Sequence, residues 1–248
     1  MSIFILKIIA MVTMLCDHVA STFFKGNVNA VMRSIGRTAF PIYAFLIAEG
    51  FYHIKDKPEK LSKHFTRLFI LTLVSEIPYD LMETGKLVFW PSQSVMLTLL
   101  VGMAGLMIAD RFKDSPLFVV FFYAIGAVAT YFTAPNYKLT GIFMILFYYF
   151  FTVKCRDYSV LKRYLVLLAF SIIYLPLYNW ARFGFPNIHD LFVRSLNGWH
   201  WLIPYIWINL FLAVYNGKNG YKNRMLNICY AWFYPVHMLI IGIIALLL

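Results

Sequence analysis

The sequence predicts an all-α, polytopic membrane protein, and three observations carry that prediction. Of 248 residues, 61% are hydrophobic and only 13% are charged, whereas an ordinary soluble domain is roughly 25% charged. The mean hydropathy is +0.71. The apolar residues also fall into runs near the roughly 20 residues a helix needs to cross about 30 Å of hydrocarbon. A soluble fold would expose more apolar surface than so few polar side chains could cover. Disordered chains and disulfide scaffolds fail on the same composition. No soluble domain or long linker interrupts the pattern, so residues 1–248 read as one integral-membrane domain.

Taken in order, the runs give about nine spans, near residues 3–24, 31–52, 65–81, 95–109, 117–133, 139–153, 164–178, 202–215 and 226–247. The first could be mistaken for a signal peptide. It lacks a basic leader, and Asp17 and His18 fall where a cleavage site should approach, so it reads as a retained span. The second carries RSIGRTAFPIYAFLIAEGFYH, with Pro41 disturbing the backbone just after Arg37. The third ends in SEIPYD, where Pro78 is expected to kink or end the helix. The fourth, sixth, seventh and eighth are short. Residues 179–201 form the longest break, aromatic enough to suit the headgroup level. The ninth holds YAWFYPVH, with His237 beside Pro235.

Basic residues orient the chain. The breaks after spans two, four, six and eight hold Lys55, Lys57, Lys60, Lys63, Arg67, Arg111, Lys113, Lys154, Arg156, Lys162, Arg163, Lys218, Lys222 and Arg224. The opposite breaks hold only Lys25, Arg33, Lys86, Lys138, Arg182 and Arg194. The N terminus is therefore expected in the cytoplasm and, with nine spans, the C terminus outside. The net charge of +11 thus reflects topology in an inner or plasma membrane, not a nucleic-acid surface. Cys16, Cys155 and Cys229 have neither the even count of a disulfide framework nor the spacing of a zinc site, and read as packing residues. No metal is expected.

A charge near the bilayer centre costs about 2.5–3.5 kcal/mol on insertion scales, so intramembrane ionisable groups are functional candidates. Here they are Lys7, Asp17, His18, Arg37, Glu49, Glu76, Asp80 and His237. The alternative, that they only pair to hold helices together, competes for each singly and less well for the set. At about 100° and 1.5 Å per residue, Lys7 and His18 share a helix face roughly 16 Å apart. A cytoplasmic anion entering past Lys7 would meet His18 deeper in, as a base that Asp17 or another acid could tune.

Arg33 and Arg37 stand one turn apart, suited to binding an anion or neutralising charge. Glu49 is an expected partner for Arg67, since buried charges are paired. Glu76 and Asp80 are proton handlers or receivers for the two arginines, with an exposed helix terminus favoured for Asp80. His237 is expected to line the cavity. No Walker A loop, HExxH, GxSxG or TVGYG sequence is present.

The blocks KIIAMVTMLCDH, GRTAFPIYAFLIAEGFYH, RLFILTLVSEIPYD, YNGKNG and FYPVH together resemble the TraX family, in the family's order over most of the chain. The resemblance implies a membrane acetyltransferase, the family being named for a protein that acetylates the N terminus of conjugative pilin. It is similar in organisation to the broader acyltransferase-3 superfamily. There a basic residue in the first span precedes an essential His by eleven positions, a spacing Lys7 and His18 match. Arg67 and the arginines opening span two match in kind.

The expected activity is therefore transfer of an acetyl group from cytoplasmic acetyl-CoA to an extracytoplasmic or membrane-embedded acceptor (pilin N terminus, glycan or lipid hydroxyl). His18 is the expected general base. A proton-coupled transporter or flippase, or a noncatalytic scaffold, would use the same buried charges differently.

Overall fold

The computed structural model describes residues 1–112, 115, 117, 120, 124, 126, 128, 138–183, 202–221 and 223–248. Among them regular structure is helical, with no strand. In chain order the helices are α1 (Ile3–Phe23), α2 (Gly26–Gly36), α3 (Ala39–Ile54), α4 (Pro58–Thr84), α5 (Val95–Ala109), α6 (Lys138–Lys154), α7 (Val160–Phe183), α8 (Leu202–Ala213) and α9 (Arg224–Leu247). The span expected at 117–133, and most of the break at 179–201, lie outside the described residues.

Among the described residues, three stretches are long and apolar enough to cross a membrane: Ile3–Phe23, Val95–Phe112 and Met225–Leu247. Val12, Leu73, Ile173 and Ile240 are among many large apolar side chains left exposed on the bundle's outside. Inside lies a continuous core with Leu6, Phe45, Met103, Ile145 and Met238. Apolar groups turned outward as well as inward are what a hydrocarbon solvent allows.

Two helix boundaries differ from expectation. The second span is two helices, parted at Arg37 and Thr38. Pro41 has no N–H to offer the carbonyl one turn back, which costs no bond in the first turn of a helix, and α3 starts two residues ahead of it. Pro78, in contrast, neither ends nor replaces α4, which runs on to Thr84. Its neighbours Ser75 and Thr84 bond back to the carbonyls of Leu71 and Asp80, and Gly85 closes the helix at φ 71°, a left-handed conformation that suits glycine.

One end of the bundle gathers the basic connections. The Met1 amine donates to the Val214 carbonyl at 2.7 Å, and Ile3 N–H to Lys218 O at 3.0 Å. Lys55 after α3 meets Asp110 after α5 at 3.3 Å. The Arg156 guanidinium lies 5.4 Å from the Tyr52 ring, and Arg163 donates to the carbonyls of Tyr215 and Leu212. Cys155 is buried there, which pushes its thiol up against the opposing pull of Arg163. Cys16 donates to Met32 O, whereas Cys229 is exposed and is no packing residue of this chain.

At the other end α1 and α2 approach so closely at Gly36 that an added Cβ would overlap the Asp17 Cβ and lie 2.7 Å from its Cα. Gly36→Ala should therefore cost about 1–3 kcal/mol of stability, as overpacking against backbone does. Gly102→Ala should cost less, because there the obstacle is the mobile tip of Ile145. Thermal unfolding of the two purified variants in detergent checks the order.

Candidate active site

The face of α1 that carries Lys7, Met11, Met14 and His18 turns inward, with Met14 buried. Lys7 and Met11 line a cleft of about 300 Å³ bounded by α1, α3, α4, α5, α9 and the loop before α9. Lys7, His64, Arg67, Asn219 and Asn227 supply polar side chains toward the end that holds the basic connections, and Tyr43, Tyr230 and Tyr234 also line the cleft. The Lys7 ammonium lies 5.2 Å from the Tyr230 ring, and Arg67 donates to Asn227 O at 2.8 Å. Farther in, the walls are Leu46, Ile47, Leu68, Leu71 and Leu99, and then Tyr234.

Tyr234 is shared between this cleft and an imidazole pair. Its ring stands edge-on to His18 and His237, 6.2 and 5.9 Å between centroids. His18 Nδ1 is 2.7 Å from His237 Nε2. The two ring planes are 4° apart with centroids 4.9 Å apart. That separation is close to the nitrogen–nitrogen distance plus two ring radii, so the rings meet edge to edge in nearly one plane. His237 Nδ1 in turn lies 2.6 Å from the Phe233 carbonyl oxygen, and the Phe233 ring stacks on His237 at 4.7 Å.

Asp17 faces elsewhere. Its Oδ1 lies 3.9 Å from both Arg33 Nε and Arg37 Nε, so a carboxylate expected to orient His18 instead sits between two guanidinium groups. Residues adjacent on a helix point about 100° apart, which separates the two roles. The imidazole is met by His237 on α9, and the arginines by Asp17 on α1.

The remaining acids have other partners. The expected Glu49–Arg67 pair does not form. Glu49 is buried, with Oε1 3.0 Å from His53 Nε2 and accepting from the Tyr215 hydroxyl at 3.0 Å, while Arg67 lines the cleft. Both Glu49 and Arg163 border a separate polar cavity of about 380 Å³. Glu49 and Arg67 sit on different faces of the α3–α4 pair, which one-dimensional spacing does not register.

Glu76 accepts from Ser94 N–H at 3.1 Å and from its hydroxyl at 2.7 Å, capping α5 from a neighbouring helix. Asp80 is buried, contrary to the exposed terminus expected, and accepts from Phe89 N–H at 2.7 Å. Both acids therefore hold the 85–94 connection, and Arg33 and Arg37 find Asp17 instead. Sequence reasoning passed over His64, Tyr230 and Tyr234. Tyr230, Tyr234 and His237 recur at steps of four and three on α9, and His64 and Arg67 at a step of three on α4, spacings that place each set on one helix face.

An all-helical bundle with membrane-length apolar helices, enclosing a histidine pair behind a cation-rimmed cleft, defines a membrane protein built around a buried polar centre. Within that class the chain belongs to the TraX protein family, whose model matches residues 2–245. It is 26% identical over 246 residues, 96% of this chain and 93% of the relative, to the probable fimbrial assembly protein FimC, serogroup H1, of Dichelobacter nodosus. No solved structure matches the chain.

The Glu49 contacts predict an asymmetry. Tyr215→Phe removes one hydrogen bond and should cost about 1 kcal/mol. Glu49→Ala leaves both the buried Tyr215 hydroxyl and the His53 ring without their acceptor and should cost about 2–3 kcal/mol. Unfolding midpoints in detergent separate the two.

Proposed function

We propose that the protein is a multi-pass inner-membrane acetyltransferase that moves an acetyl group from cytoplasmic acetyl-CoA to an envelope acceptor. The single observation that carries this reading is the cleft of about 300 Å³, cationic at the basic end and apolar within, which ends on the tyrosine packed against His18. Its polarity follows an acyl-CoA, with anionic phosphates at one end and an uncharged thioester at the other. Taking the basic end as cytoplasmic, by the excess of Lys and Arg there, puts the donor on the side where acyl-CoA is made and the N terminus inside. The full set of about nine spans belongs to the same reading.

In the reaction Lys7 and Arg67 hold donor phosphates. The acceptor's oxygen or nitrogen attacks the thioester carbonyl carbon while His18 takes the proton it sheds. Collapse of the tetrahedral adduct breaks the C–S bond, and the thiolate leaves with the proton from His18 as free CoA thiol. Arg33 or Arg37 stabilises the oxyanion or holds an anionic group on the acceptor. No metal takes part. The fimbrial relative favours a pilus-subunit amine over a glycan or lipid hydroxyl as acceptor. Glu49, Glu76 and Asp80 serve the framework in this reading.

General-base assistance is typically worth about 10²–10⁴ in rate. His18→Ala, with an unchanged melting profile, should therefore lose acetyl transfer by about that factor. Lys7→Ala should raise KM for acetyl-CoA and leave kcat nearly unchanged, as loss of uniform binding does. Mass spectrometry of pili, envelope glycans and lipids with and without the gene should show a gain of about 42 Da on one of them, the acetyl group carried by CoA. Folded His18→Ala protein that still transfers acetyl groups, or purified protein that neither binds nor cleaves acetyl-CoA, overturns the reading; the second result favours transport.

A further inference from the structure

We propose that His237 is a positioning residue that holds His18 in one tautomer, Nδ1 protonated and Nε2 bare, through a relay anchored on the Phe233 carbonyl. Only the catalytic consequence of this relay rests on the acetyltransferase reading; the tautomer follows from the contacts themselves.

The argument begins at the anchor. A carbonyl oxygen only accepts, so the 2.6 Å contact with Phe233 O requires the hydrogen to sit on His237 Nδ1. A neutral imidazole carries one N–H, which leaves His237 Nε2 as an acceptor. The 2.7 Å contact with His18 Nδ1 then needs its hydrogen on His18. His18 in turn has one N–H, so its Nε2 keeps the lone pair. Reversing either tautomer sets two lone pairs, or two hydrogens, face to face across a contact of 2.6 or 2.7 Å.

An imidazolium at His237 would satisfy both contacts, yet it would place a cation in an apolar interior. Among the described residues, the charged side chains that act on the adjoining His18 are Arg33 and Arg37, cations themselves, while Asp17 faces those arginines. Tyr234 and Phe233 fill the remaining sides without charge. The relay is fixed by the backbone of α9 at one end and delivers a single bare nitrogen at the other.

His18 Nε2 is thus the atom that takes the acceptor's proton. As it does so, the Nδ1–H bond to His237 strengthens, because its donor becomes charged. A histidine can serve here where an aspartate serves in other triads: it accepts from Nδ1 without adding a buried negative charge. Without it, free imidazole chemistry would let His18 populate both tautomers, and half-formed relays would present an N–H to the acceptor.

The test reads the tautomer directly. Protein labelled with ¹⁵N-histidine and reconstituted in nanodiscs gives ¹⁵N shifts that distinguish protonated from bare ring nitrogens, and the His18 signals are assigned by their loss in His18→Gln. Wild-type His18 should appear as the Nδ1–H form alone. His237→Ala should release it to a mixture, and His237→Gln, whose side-chain oxygen can accept from Nδ1, should restore it.

In activity, His237→Ala should lower kcat about tenfold to a thousandfold with little change in KM for acetyl-CoA, as loss of a tautomer-fixing partner does, and His237→Gln should recover part of it. A wild-type His18 in the Nε2–H form, or a tautomer and kcat unmoved by His237→Ala, overturns the relay. If His237→Ala does not fold, the wild-type and His237→Gln spectra decide alone. The expected tautomer in a protein without acetyl transfer would uphold the relay and sink the acetyltransferase reading; normal transfer with the opposite tautomer would do the reverse.

Discussion

Hydrocarbon offers a polar side chain nothing to bond with, and the buried pairings between helices answer that constraint. A charge left alone near the bilayer centre costs about 2.5–3.5 kcal/mol. A group that finds a partner on another helix recovers part of that cost and ties the two helices together. The histidine pair joins α1 to α9, and Asp17 joins α1 to α2. Glu76 joins α4 to the head of α5, and Glu49 joins α3 to the turn after α8. In lipid, apolar packing alone does not distinguish one helix neighbour from another, so these bonds help fix which helices adjoin.

The pairings are not equally complete. Glu76 receives two hydrogen bonds from one serine, and its geometry is that of a cap. Asp17 sits 3.9 Å from two guanidinium nitrogens, and its buried Oδ1 accepts no hydrogen bond from the described residues. Both guanidinium groups act on His18 through a low-dielectric setting, where a charge is felt strongly.

The helical class and some helix bounds were legible because they depend on composition and run length. Helices α1, α5 and α6 sit within a residue of the apolar runs that predict them, since nothing but hydrophobicity and helix length decides those boundaries. The family, too, was legible in short blocks such as YNGKNG and FYPVH. Partner choice was not. Spacing along a helix places Lys7 and His18 on one face, but it says nothing of which side chain on a distant helix meets that face. His237 lies 219 positions from His18, and Glu49 reaches Tyr215 across 166. Asp17 and Asp80 were misplaced for the same reason: a partner adjacent in sequence is visible on the page, whereas one brought in by tertiary packing is not. Burial of Asp80 by the 85–94 connection depends on a backbone N–H, which no residue type announces.

The break between α2 and α3 shows how a local rule reaches the site. Pro41 lacks an N–H, a loss without cost in the first turn of a helix; α3 starts two residues before it, and the preceding residues form a helix of their own. That shorter helix can lean on α1 independently of α3. It does so at Gly36, where the missing Cβ admits the Asp17 backbone. Arg33 and Arg37, three residues before Gly36 and one after it, then bring both Nε atoms to the same carboxylate oxygen. A continuous span through residues 31–52 would have tied the direction of α2 to α3, which packs along α1 by its own apolar face. The break ahead of α3 and a glycine lacking one carbon thus set two cations beside the imidazole, although none of the three charged groups is altered by either.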